Sequence, residues 1–210
     1  MAGDAYFALV RPLAGWWAEA FRAMISGLIR GSLLALGLSA AGLTSAGAQA
    51  FTEFSTQGLP RSQGIVVRVS HPAGWSRVPT DDEMAVAELR GLQGKLTGIL
   101  QIGRGRHRND TDALCPPERA RTMLQDINAQ NPDVFVTDVF ARQHEGRPAY
   151  EIGYQRNVTS TYLAVRSLIV CLKGSQVVVS CAGAGENRTA LAEIGPVCKK
   201  VLDSLSIAEE

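Results

Sequence analysis

The chain has no C-x-x-C pair, no H-x-H or H-x-x-x-H spacing and no G-x-S-x-G elbow. Its Gly183-Ala184-Gly185 stretch lacks the Lys-Ser/Thr that would complete a phosphate loop. Without those spacings there is no sequence support for a thioredoxin-type redox centre, a zinc knuckle, an α/β-hydrolase nucleophile or a P-loop. Charge of one sign is also missing: 21 Lys and Arg stand against 20 Asp and Glu. A nearly neutral chain has no global basic field for nucleic acid or an anionic membrane. Long hydrophobic runs are absent too. The longest candidate, Ser32–Leu43, falls short of the ~20 residues that span a bilayer.

That short run has a recognisable setting. Met24–Arg30 is a brief, positively charged start, Ser32–Leu43 an apolar centre, and Ala48-Gln49-Ala50 a small-residue cleavage site. This three-part pattern predicts a secretory signal over 24–50, cut after Ala50. Residues 1–23 read as an extension or a mis-assigned start. Trp16-Trp17 with Phe7 and Phe21 instead suggest a membrane-interface helix if the segment is retained. The mature chain, 51–210, keeps 18 basic and 18 acidic residues once Arg11, Arg22, Arg30, Asp4 and Glu19 are set aside. It also keeps all four cysteines, an even number that predicts disulfides in an exported protein.

Residues 51–63 read as an extended lead-in, and 64–207 as one domain. Gly64–Ser70 predicts a strand, stopped by His71-Pro72-Ala73-Gly74-Trp75, with Trp75 as a core anchor at the corner. Met84–Leu89 and Leu96–Gly103 predict two more strands. Pro116-Pro117 opens a helix carried by Ala120, Met123, Leu124 and Ile127 and ended by Asn131-Pro132. Val134–Ala141 and Ala149–Arg156 predict strands joined by a glycine-containing turn. Leu163–Leu172 and Val177–Val179 form a β-hairpin, apolar on both faces and therefore central to a sheet covered on both faces. A last helix opens at Gly195-Pro196 with Cys198, Val201, Leu202 and Leu205 on one stripe. The fold class expected is α+β: an antiparallel sheet with helices packed on both faces.

Three segments resemble the PsbP/DcrB-like superfamily. Val69-Ser70-His71-Pro72-Ala73-Gly74-Trp75 is similar to its strand and Pro-x-Gly-Trp opening. Gly146-Arg147-Pro148-Ala149-Tyr150 resembles its G-x-P-A turn. Lys200–Ile207 resembles its closing helix and S-F-x-I tail, with Leu205 in place of Phe. The resemblance implies an α/β/α sandwich over 64–207. It also implies roles as accessory subunits, binding modules or chaperone-like proteins without shared catalytic chemistry.

Arg104, Arg106 and Arg108 alternate, so they share a strand face. With His107 they form a candidate anion or partner patch. Tyr150 and Tyr154 share another face and form a candidate groove. His71, His107 and His144 lie far apart in sequence, so no metal site and no cofactor are expected. With a hairpin turn at Gly174-Ser175, Cys171 faces Val178 and Cys181 faces Leu168, on opposite sides of the sheet, which forbids a bridge between them. The pairing favoured is Cys181–Cys198 with Cys115–Cys171. Cys171–Cys198 with Cys115–Cys181 follows if the last helix covers the other face.

The function expected is that of an exported, non-enzymatic envelope protein in the periplasm or secreted. It would bind a protein partner or small ligand and no nucleic acid, and contact a membrane only if residues 1–50 are retained. The alternatives are an accessory subunit of a membrane complex tethered by that segment, and an enzyme acting on an anionic substrate.

Overall fold

The structure is a computed structural model that describes residues 49–106, 134–158, 161–186 and 192–209, together with Gln125 and Ala129. The signal over 24–50, except Gln49 and Ala50, and the helix predicted from Pro116 to Asn131, except Gln125 and Ala129, lie outside the described residues, as do His107, Arg108 and Cys115. One compact unit begins at Phe51, the residue after the predicted cleavage site.

The strands are β1 (Phe51–Ser55), β2 (Ile65–Pro72), β3 (Ser76–Val78), β4 (Ala85–Gln93), β5 (Leu96–Arg106), β6 (Val134–His144), β7 (Arg147–Val158), β8 (Thr161–Leu172), β9 (Ser175–Gly185) and β10 (Ser206–Glu209). A 3-10 turn covers Pro60–Ser62, and the helix α1 covers Ile194–Asp203. They form two antiparallel sheets, not one. The larger runs β3-β4-β5-β9-β8-β7-β6, and the smaller β1-β2-β10. The lead-in is therefore part of the fold: Phe51 to Ser55 pair with Pro72 to Arg68. Thr56 extends that pairing, its buried hydroxyl accepting from Val67 N at 2.8 Å. The single antiparallel sheet expected from sequence is corrected to two, and the strand predicted over Gly64–Ser70 lies in the smaller one. It is the centre of the small sheet, because β10 returns across 138 residues or more of chain to pair with it.

The hairpin β8–β9 occupies the middle of the large sheet, as its two apolar faces require. Its turn is Lys173-Gly174, with Gly174 at φ +68°, so Leu172 faces Ser175, Cys171 faces Gln176, and Arg166 faces Cys181. The predicted turn at Gly174-Ser175 is thus displaced, and the register is shifted by two residues. A shift of two preserves which side each residue faces, and Cys171 and Cys181 still lie on opposite sides.

On the side of Cys181, α1 and the small sheet lie over the large sheet. Ile194, Val197, Cys198, Val201 and Leu202 of α1 are buried, at the spacing of one helical face. They join Val67 and Val69 of β2, Ile207 of β10, and Leu100, Ile102, Leu168, Val177 and Val179 of the large sheet in one core. Ser204 fastens the end of α1: its Oγ donates to Val201 O at 2.7 Å and accepts from Ser70 N at 2.8 Å. The opposite side is buried as well, at Ile99, Leu163, Val165, Ile169 and Val178. Among the described residues, one helix lies on one side; the sandwich expected from the resemblance has helices on both.

Trp75 is 3 % exposed and explains two glycines. Gly91 pairs with Gly98, Gly98 with Gly183, and Gly183 with Ala164, a row of small residues across four adjacent strands. A Cβ on Gly98 would lie 2.0 Å from the indole, and one on Gly91 2.4 Å. Both strands give up side chains so that the ring can approach the backbone.

Trp75→Ala should lower stability by about 3–5 kcal/mol. Gly98→Ala alone should cost about 1–3 kcal/mol or more through overpacking. In the Trp75→Ala background the same change should cost far less, since the clash is gone. Denaturant unfolding of the four proteins of this cycle measures it; additive costs would show that the indole and Gly98 do not share the constraint.

Candidate functional site

A concavity lies at the β3 edge of the large sheet, a groove of about 560 Å³. Leu59 and Pro60 of the 3-10 turn form one wall, and Val78, Pro79, Val86 and Ala87 the other wall and floor. Arg61, Arg77 and Thr80 supply its polar atoms. Pro60 starts the turn with its φ already suited to it, and Gln63 and Gly64, at φ +48° and +81°, reverse the chain into β2. Two arginines hold the turn in place. Arg61 donates to the carbonyls of Asp82 (2.7 Å) and Ala85 (3.2 Å), and Arg104 donates to Gln63 Oε1 at 2.7 Å. Arg77 is exposed and makes no ion pair with a described residue.

The acidic run Asp81-Asp82-Glu83 follows the groove in sequence but does not line it. Asp82 turns inward, accepting from Met84 N at 2.9 Å and from Gln101 Nε2 at 3.1 Å. Burial raises its pKa above the ordinary value, against the pull of those hydrogen bonds and of Arg61.

A smaller cavity, about 170 Å³, opens between α1 and β7–β8, lined by Gly153, Gln155, Ala164, Arg166, Gly195 and Cys198. A charged network borders it. The buried carboxylate of Glu151 accepts from Arg142 at 2.6 Å and from Arg166 at 2.8 Å, and Arg166 also lies 3.6 Å from Asp138. Opposite charges balance there, so the cavity offers no net field to a charged ligand.

The residues singled out from sequence fall in several places. Arg104 is on β5 and serves the 3-10 turn; Arg106 ends the same strand. The structure thus gives Arg104 a structural contact that its sequence neighbours do not reveal. Tyr150 and Tyr154 share a face, as their spacing requires, but Tyr150 is 1 % exposed and packs with Val139, Ala141 and Cys171. Burial pushes the Tyr154 phenol well above its ordinary value, with Arg156 opposing by less. The groove residues Leu59, Arg61 and Arg77 carry no sequence pattern, since they meet only when the lead-in folds over β3–β4.

Cys181 and Cys198 form a disulfide, with Cα atoms 5.2 Å apart. Gly183, two residues on along the same face, lets Ile194 approach: a Cβ there would lie 2.9 Å from it. Cys171 is disulfide-bonded too; Cys115, its predicted partner, lies outside the described residues. Converting Cys181 and Cys198 together to Ala should lower stability by about 2–4 kcal/mol in urea unfolding. A loss below ~1 kcal/mol would mean the cross-link adds nothing to packing already complete.

His144 ends β6 and is 7 % exposed. Burial lowers its pKa below 6.5, Glu145 and the Leu205 backbone raise it, and Arg142 and Arg147 lower it further. The folded state therefore favours the neutral ring. The stabilisation is fully present above the unfolded value near 6.5 and declines as pH falls through it toward the folded value. The urea midpoint should drop between pH 7.5 and 5.5, and His144→Gln should flatten that drop. An unchanged slope in the variant would assign the pH dependence elsewhere.

No protein-family model matches the chain, and no curated protein sequence matches it. Among solved structures it is similar to the cyanobacterial PsbP (CyanoP) of Synechocystis sp. PCC 6803. The TM-score is 0.53 at 14 % identity, over 81 % of this chain and 99 % of that one. LpqN of Mycobacterium tuberculosis, described as involved in cell envelope biogenesis, gives a TM-score of 0.49 at 12 % identity, covering 75 % of this chain and 91 % of that one. The CyanoP likeness spans almost the whole of that protein in a shared arrangement of strands, and on that ground this chain has a PsbP-like fold.

Proposed function

We propose that the domain is a non-catalytic binding module that works outside the cytoplasm and holds a ligand in the groove at the β3 edge. The observation that carries this reading is the groove itself: about 560 Å³, lined by Leu59, Pro60, Val78, Pro79, Val86 and Ala87, with the guanidinium of Arg77, which makes no ion pair with a described residue, at its side. That volume lies within the range of small-ligand pockets, and an apolar lining with few polar groups is their usual composition. The ligand class that fits is an apolar body bearing one acidic group, met by Arg77, with Arg61 adding to the field. Arg104 is a positioning residue, because it fastens Gln63 behind the wall. Arg106, at the end of β5, is proposed to meet an acidic partner together with His107 and Arg108, which lie outside the described residues. The Cys181–Cys198 disulfide and the signal-like 24–50 segment support an oxidising compartment.

Decanoate and its neutral analogue decanamide test the reading by titration calorimetry. Decanoate should bind more tightly than decanamide, and Arg77→Glu should weaken decanoate at least about tenfold, or ~1.4 kcal/mol, without changing the melting temperature. Equal binding of both probes, or an unaffected Arg77→Glu variant, would remove the groove from the function.

A further inference from the structure

β6 is the free edge of the seven-stranded sheet among the described residues, opposite in the strand order to the groove at β3. It is 11 residues long and contains neither Lys nor Pro, two usual protections of an exposed edge. Its bulge lies near one end, between Val136 and Asp138, and leaves Asp138–His144 in regular pairing with β7. Phe140, in the middle of that regular stretch, is 41 % exposed, and Phe135 is 64 % exposed. Large apolar side chains on a long edge that no described strand covers invite another strand.

The sequence of the edge points to which strand. Asp138, Phe140 and Arg142 lie on one face, and Val139 and Ala141 on the other. In an antiparallel pairing of β6 with itself, with a two-fold axis at Phe140, Phe140 meets its own copy. Asp138 then faces Arg142 of the second chain, and Arg142 faces Asp138. Val139 faces Ala141, both of which already pack on Tyr150 within one chain. Each opposed pair is aromatic, oppositely charged or apolar, the combinations that stabilise neighbouring strands. Moving the axis by one residue to Val139 would set Asp138 against Phe140 and lose the charge pairing. A two-fold axis uses one patch twice, so the self-complementarity of a single segment suffices.

We infer that a second copy of this chain adds to the β6 edge, in antiparallel register centred on Phe140, to make a continuous sheet across a two-fold dimer. Asp138 and Arg142 keep their partners within the chain, Arg166 and Glu151, and extend those networks across the axis.

Sedimentation of the purified full-length chain, with Phe140→Glu beside it, tests the dimer. The wild type should associate reversibly in the micromolar range, and Phe140→Glu, which sets like charges against each other on the axis, should raise the dissociation constant at least about tenfold. A cross-link gives an independent reading if that variant melts early. Facing Cα atoms in an antiparallel pair lie ~4.5–5.5 Å apart, within reach of a disulfide. Phe140→Cys should therefore link two chains under mild oxidant. Leu92→Cys, at a more accessible site 78 % exposed on β4, should link far more slowly. A wild type that stays monomeric to ~100 μM, association unaffected by Phe140→Glu in a folded protein, or equal cross-linking at 92 and 140 would each overturn the inference.

Discussion

The fold depends on a strip of the large sheet that has almost no side chains. Gly91, Gly98, Gly183 and Ala164 lie side by side on β4, β5, β9 and β8, and the layer above reaches the backbone through that strip. Trp75 sits against its β4–β5 end and Ile194, the first residue of α1, against Gly183. A glycine in a strand weakens it locally, and four strands accept that loss or a small alanine in one row. The return is close approach of a large indole and of a whole helix, which the core of Val69, Leu100, Val179, Val201 and Leu202 then seals. The disulfide from Cys181 to Cys198 joins the same two layers one position along.

Polar groups buried near that core are handled by local pairing. Glu151 is held between two arginines, and Ser167 and Ser180 hydrogen-bond each other at 2.8 Å in the middle of the sheet. Glu145 occupies a left-handed turn at φ +49° beside Gly146 at +76°, the conformation of a tight two-residue hairpin. Its carboxylate uses that position to accept from Ile207 N at 3.1 Å, so the β6–β7 turn also anchors β10. Each of these contacts leaves a buried group unpaired if one partner is lost, which favours this arrangement over neighbouring registers.

The two surfaces singled out for recognition sit at the two ends of one sheet and differ in kind. The β3 end is concave because the 3-10 turn folds over a strand only three residues long. The β6 end is long and aromatic, and from Asp138 to Arg142 its side chains are arranged symmetrically about Phe140. A cavity suits a ligand that is enclosed, and a strand edge suits a partner that continues the sheet. The occupancy of one end does not obstruct the other, since five strands separate β3 from β6.

The amino-acid pattern by itself determined the central hairpin, the meander from β6 to β9, the closing helix and the anchoring role of Trp75, because each rests on local periodicity or on a turn signal. It also separated Cys171 from Cys181, since the alternation of faces survived a register that was two residues out. Tertiary structure alone decided that β2 leaves the main sheet, that Phe51–Ser55 is a strand, and that Arg104 fastens the turn containing Gln63. Those facts depend on segments far apart in the chain, and a strand's own residues specify that it is extended without specifying which strand it meets. The groove was invisible for the same reason: Leu59, Arg77 and Val86 have no common spacing, and only the folding of the lead-in across β3 and β4 brings them to one groove.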